Sequence, residues 1–98
     1  MFLIFYSHKT TENAGAQIDM VLDRKDQIVN LFEMKFYEEE FVPNKVFAAN
    51  LQIKKITFKN VTKTRKQISW VLISANGVMV NQYTIGLIDN ILGIDDLF

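Results

Sequence analysis

No cysteine occurs among the 98 residues, which removes both a disulfide framework and a thiolate zinc site. The absence suits a reducing cytoplasm, where we expect the chain to reside. Charge of one sign is also lacking: eleven basic and eleven acidic side chains cancel. The chain as a whole therefore gives no support to a nucleic-acid partner, which usually leaves a basic excess, and any such signal has to be local. No run approaches the ~18 apolar residues of a membrane span, and the apolar start Met1 to Tyr6 is far shorter than a signal-peptide core with its basic flank. The expectation is a soluble, unexported protein with no membrane partner. There is no glycine-rich phosphate loop, so the chain should bind no nucleotide, and no nucleophile-base pair suggests acyl transfer. The lone histidine, His8, sits in a polar stretch and reads as a loop residue.

What is present is one globular domain's worth of apolar residues, 49% against 22% charged, so residues 1–98 are read as a single domain with one core. A domain of this size buries a modest fraction of its unfolded surface and has a thin stability margin. Dimerisation or a neighbouring domain is expected to supplement it. The abrupt hydrophobic opening resembles a strand from the middle of a longer chain.

Phe2 to Tyr6 reads as a short strand and Ser7 to Ala16 as a polar loop. Gln17 to Arg24 alternates apolar and polar residues, Gln27 to Tyr37 continues in that style, and the pair reads as a hairpin. After the acidic Glu38-Glu39-Glu40, taken as a solvated loop, Pro43 favours a first helical turn. From there to about Asn60, Val46, Ala49, Ile53 and Ile56 recur at three and four, flanked by Phe47, Leu51 and Phe58, and predict the one main helix. Val61 to Gln67 is a basic loop, and Ile68 to Ala75 a buried strand holding Trp70 in the core. Asn76-Gly77 makes a turn, Tyr83 to Ile88 is a further candidate strand, and Asp95 to Phe98 forms an amphipathic tail. The expected class is α/β or α+β, a mixed sheet of four to five strands against one main helix.

The hairpin register follows from its pattern. With Asp19 opposite Glu33, Gln17 lies opposite Lys35 and Val21 opposite Leu31, while Ile18, Met20 and Leu22 meet Met34, Phe32 and Asn30 on the other face. One face is then nearly all apolar, and the other gathers Gln17, Asp19, Glu33 and Lys35 at one end. A slip of one residue mixes charged and apolar residues on both faces. The preferred register requires an odd loop, of three residues (Lys25, Asp26, Gln27) or five, or a bulge.

Two facing carboxylates repel and need a compensating cation. Lys35 supplies one charge, and a divalent ion would supply more. Carboxylate oxygens with water are the ligand set that Mg²⁺ prefers, and its sites often hold only one or two protein carboxylates. Such an ion polarises a phosphodiester and acidifies a bound water; Lys35 would orient that water, help deprotonate it, or stabilise developing charge.

Asp19, thirteen intervening residues and then Glu33-Met34-Lys35 resemble the (D)Xn(E)XK arrangement of the PD-(D/E)XK nuclease superfamily, which includes restriction endonucleases and archaeal Holliday-junction resolvases. Ile18 stands where some members carry proline. More closely, GAQIDMVLDRKDQIVNLFEMKFY, TKTRKQISWVLISANGV and the closing IDDLF resemble the C-terminal domain of a family of bacterial and archaeal AAA-type ATPases. The resemblance implies a restriction-endonuclease-like core lacking its first helix, for which there is no room ahead of Phe2. It implies Asp19 and Glu33 as ligands of Mg²⁺ or Mn²⁺, Lys35 as the catalytic lysine, and Gln17 next to the substrate. It further implies DNA as partner, with a second copy or an ATPase module in the same or a neighbouring chain. Glu12 is a candidate substitute for the acidic residue that the missing helix often contributes.

Lys54, Lys55, Lys59, Lys63, Arg65 and Lys66 form the one basic concentration. Lys55, Lys59, Lys63 and Arg65 would track nucleic-acid phosphates with salt-dependent affinity; the simpler alternative is a solvated helix face. The whole polar cluster likewise has a bland alternative, a salt-bridge network in a non-catalytic interaction or dimerisation domain.

Overall fold

In β2, Gln17–Arg24, and β3, Ile28–Lys35, apolar side chains alternate with polar ones, and the two strands pair antiparallel through a tight turn. The computed structural model describes the backbone of residues 3–9 and 17–97 and the side chains of 18–96. Its partners Met20–Phe32, Val21–Leu31, Leu22–Asn30 and Asp23–Val29 are those of the expected register. The loop is the three-residue one, with Gln27 left-handed at φ 69. A left-handed third residue is how an odd hairpin loop closes without splaying its strands. Gln27 therefore belongs to the turn and not to β3, and Phe36 and Tyr37 lie beyond the strand, half exposed.

Antiparallel to β2 on its other side runs β1, Leu3–Lys9, so the first strand continues through Ser7, His8 and Lys9, where the polar composition suggested a loop. Residues 10–16, the rest of that loop and Glu12 among them, lie outside the described residues. After β3 the chain enters α1, Lys45–Thr62, then β4, Gln67–Ser74, which pairs parallel with β3. β5, Asn90–Gly93, pairs parallel with β4, and one 3-10 turn follows at Ile94–Leu97. Among the described residues the sheet is mixed and five-stranded, in the order β1-β2-β3-β4-β5, and the architecture is α+β with one main helix. Residues 82–87 are turns, so the strand expected at Tyr83 to Ile88 is displaced to Asn90–Gly93. There Asp89 donates its N–H to Trp70 O and accepts from Trp70 N through its carboxylate, which starts the β4–β5 pairing.

Pro43 precedes α1 rather than opening its first turn; Asn44 caps it, its side chain accepting from Phe47 N at 2.9 Å. The helix turns Leu51 and Phe58 inward, with Phe47 partly buried, against Ile18, Val21, Val29, Leu31, Ile68 and Trp70 of the sheet. The expected apolar row is the outer one: Val46 is 67% and Ile56 60% exposed, and Ala49 and Ile53 are exposed as well. Two rows of α1 share the three-and-four spacing, and the row that carries the larger Phe47, Leu51 and Phe58 is the buried one. On the opposite face of the sheet Phe32, Val71 and Ile73 form a second cluster with Met20, Leu22, Met34 and Leu92. Burial on both faces explains why β4 is apolar without alternation. Among the described residues, no helix is long and apolar enough to cross a membrane.

Candidate functional site

Between β1 and β2 the partners step from Tyr6–Val21 to His8–Ile18, two residues on β1 against three on β2. The extra residue is a bulge at Asp19–Met20, which bends the strand and re-aims the side chains around it. One result corrects the expected face of Ile18. It joins Val21 in the core under α1, at 1% exposure, instead of sharing a face with Met20 and Leu22. The other concerns Asp19. Pairing of β2 with β3 runs as far as Met20–Phe32, and beyond it the Asp19 carboxylate accepts the backbone N–H of Met34 at 2.9 Å.

Glu33 stands one residue before Met34, beside Leu72 of β4, and is 6% exposed. Burying a carboxylate costs several kcal/mol unless cations meet it. Here two do: Lys54 Nζ of α1 donates to Oε1 at 3.0 Å, and Lys35 Nζ lies 3.4 Å from Oε2. Lys35, the last residue of β3, is held in turn by three rings, its Nζ 5.6 Å from the centroids of Phe41 and Phe47 and 5.9 Å from that of Tyr37. Phe41 and Phe47 meet edge to face at 4.8 Å. Each such cation–π contact is worth about 0.5–2 kcal/mol, depending on desolvation. The β3–α1 connection and the first turn of the helix thus position this lysine.

Lys35 and Lys54 both meet Glu33, and Asp19 reaches this end of β3 through the backbone N–H of Met34; the expected pairs Asp19–Glu33 and Gln17–Lys35 are not among the partners of the β2–β3 ladder. Formal charges there balance, two carboxylates against two ammonium groups. Gln17 opens β2 opposite Lys9, and its side chain lies outside the described residues. The donors are hard oxygens of the kind Mg²⁺ takes, and one Asp19 oxygen makes no hydrogen bond among the described residues. No cluster of three or more His, Asp or Glu side chains suited to a metal occurs among them. A cation held by Asp19 and Glu33 would keep most of its waters, and Lys54 or Lys35 would have to yield a Glu33 oxygen. On donor chemistry the pair fits such an ion.

The basic strip divides. Lys54 and Lys55 are neighbours in sequence and about 100° apart around the helix, so they serve different places. Lys54 goes inward to Glu33, whereas Lys55, Lys59 and Arg65 line an open cleft beside β4. Lys63 does not continue their row. It is the left-handed residue that ends α1, at φ 58, its N–H returning to Lys59 O at 2.9 Å. The Lys66 ammonium is committed to Asp23 Oδ1 at 2.6 Å and Arg24 O at 2.8 Å.

The place of Lys54 against Glu33 is what sequence reasoning missed. Its signal is a lysine in the inward row Phe47, Leu51, Lys54, Phe58, spaced four, three, four; a cation in a buried row implies an acid beneath it. The three rings around Lys35 carry no comparable signal, because Tyr37 and Phe41 act from a connection without periodicity. Compared with known proteins, the chain matches no family model, no curated protein and no solved structure.

Proposed function

We propose that the chain is a PD-(D/E)XK-type nuclease-like module that hydrolyses a phosphodiester of DNA with Mg²⁺ or Mn²⁺, alone or as the tail of an AAA-type ATPase in the same or a neighbouring chain. The observation that supports it is the contact of Lys35 with Glu33 next to Met34, whose N–H the Asp19 carboxylate accepts. When bound, the divalent ion supplies polarisation of the phosphoryl oxygen and a water of lowered pKa. Asp19 offers as a ligand the oxygen that makes no hydrogen bond among the described residues, and Glu33 offers Oε1 once Lys54 swings aside. Lys35, steadied by Tyr37, Phe41 and Phe47, is placed to stabilise negative charge developing on the phosphate. A cytoplasmic location goes with this activity.

A non-catalytic interaction or dimerisation domain is the second reading. It draws support from the two ammonium groups already facing Glu33 and from the apolar outer row of α1. Calorimetric titration with Mg²⁺ or Mn²⁺, repeated on Asp19→Ala, separates the two. Binding by the native chain that is lost in the variant is the outcome expected of the nuclease; no binding by either protein favours the second reading.

A further inference from the structure

Beside β4, on the flank of α1 that Lys54 does not serve, a cleft of about 480 Å³ opens between the C-terminal half of the helix, the loop before β4 and the turn before β5. That volume falls within the roughly 300–1,000 Å³ of small-ligand sites. Ile68 and Leu87 supply apolar lining, and Lys55, Lys59 and Arg65 supply cations.

Folding does not account for those three charges. None of them forms an ion pair among the described residues, and α1 contains no acidic side chain at all. Lys55 and Lys59 are like charges at i and i+4, which repel within a helix. Lys59, in the last turn, is favoured by the helix dipole, but Lys55 is a turn too early for that benefit. The one carboxylate in the lining, Asp89, has an oxygen occupied by Trp70 N–H at 3.0 Å, where it starts the β4–β5 pairing. The cleft therefore keeps a positive surplus of about two charges. That surplus suits a phosphate monoester, which carries about −1.5 to −2, or two successive phosphodiesters.

The geometry points to an anion site for phosphate esters in this cleft, separate from the carboxylate pair. Lys55, Lys59 and Arg65 hold the phosphate oxygens, Arg65 with a fork that can engage two of them. The site does not depend on the nuclease: no divalent ion and neither Asp19 nor Glu33 takes part in it. A nucleic-acid strand and a small phosphorylated molecule present the same chemistry, and they differ in how many phosphates lie beyond the cleft.

The test is anisotropy of a short fluorescein-labelled oligothymidylate at several salt concentrations in EDTA, with pyrophosphate as competitor and calorimetric titrant. It is run on the native chain, Lys55→Gln/Lys59→Gln, Arg65→Gln and Lys45→Gln. The expected result is oligonucleotide binding whose log K against log salt slope falls by about 1.4 in the double-lysine variant, at about 0.7 per single-strand contact. Lys45→Gln, at the far end of α1 and outside the cleft lining, should bind as the native chain does. Pyrophosphate binding without oligonucleotide binding, lost in the same variants, assigns the site to a small phosphate ester. Native-like binding by both the double-lysine and Arg65→Gln variants, or no binding of either probe by the native chain, overturns the site. Should metal titration fail while the cleft still binds, the nuclease falls and the anion site stands.

Discussion

Replacing Lys54 by methionine keeps most of the length and the apolar stem of the side chain but removes the ammonium that meets Glu33 Oε1 at 3.0 Å. Breaking a buried ion pair from one side usually costs about 3–5 kcal/mol, because the other charge is left without a partner. Glu33 retains Lys35 at 3.4 Å, and Lys54 keeps 14% of its side chain in solvent, so the expected cost is lower, about 2–3 kcal/mol. A domain of this length has a total stability of about 5–15 kcal/mol. The loss should lower Tm by about 8–20 °C and shift the urea midpoint by about 1–2 M at unchanged slope. Glu33→Gln should cost less, since both lysines are partly solvated and can turn to water. The double variant should show a coupling energy of about 1.5–3 kcal/mol in a thermodynamic cycle. If a divalent ion uses Glu33, millimolar Mg²⁺ should raise the Tm of Lys54→Met more than that of the native chain, because the competing ammonium is gone. A Lys54→Met protein within about 0.5 kcal/mol of native, or a coupling energy below that size, would refute the placement of Lys54 on Glu33.

Three further outcomes are expected, each read by urea denaturation. Leu51→Ala should cost about 2–5 kcal/mol, since Leu51 is 0% exposed, whereas Ile56→Ala at 60% exposure should stay within about 0.5 kcal/mol; the reverse order would mean that α1 is rotated. Gln27→Gly should leave the stability unchanged or raise it by up to about 1 kcal/mol, as relief of the left-handed φ of 69 exceeds the added freedom of the unfolded chain; a loss beyond 0.5 kcal/mol or so would count against that turn. Trp70 is 1% exposed, and its Nε1 has no hydrogen-bond partner among the described residues, so Trp70→Phe trades lost volume for removal of an unsatisfied donor. The net cost should stay below about 2 kcal/mol, and a larger one would indicate that the indole N–H is satisfied.

Alternation by itself determined the β2–β3 hairpin and its register, because a slip of one residue would send every side chain of a strand to the wrong face. It also determined that the loop is odd, while the unbroken apolar run Ile68 to Ala75 marked a buried strand and the three-and-four spacing marked one helix between β3 and β4. Glu33 and Lys35, two residues apart on β3, were legible as neighbours on one face, and their side chains meet at 3.4 Å. Four matters were decided only by tertiary structure. The bulge at Asp19–Met20 depends on pairing with β1, and it moved Ile18 into the core. The start of β5 at Asn90 depends on hydrogen bonds between Asp89 and Trp70, nineteen residues apart in sequence. Lys55 and Arg65 share a cleft because the turn before β5 closes it. The rotation of α1 was ambiguous in sequence, since Val46, Ala49, Ile53, Ile56 and Phe47, Leu51, Lys54, Phe58 are both rows of a helical face. What chose between them is the sheet beneath, where larger side chains fill the space and a buried carboxylate needs the lysine that only one rotation supplies.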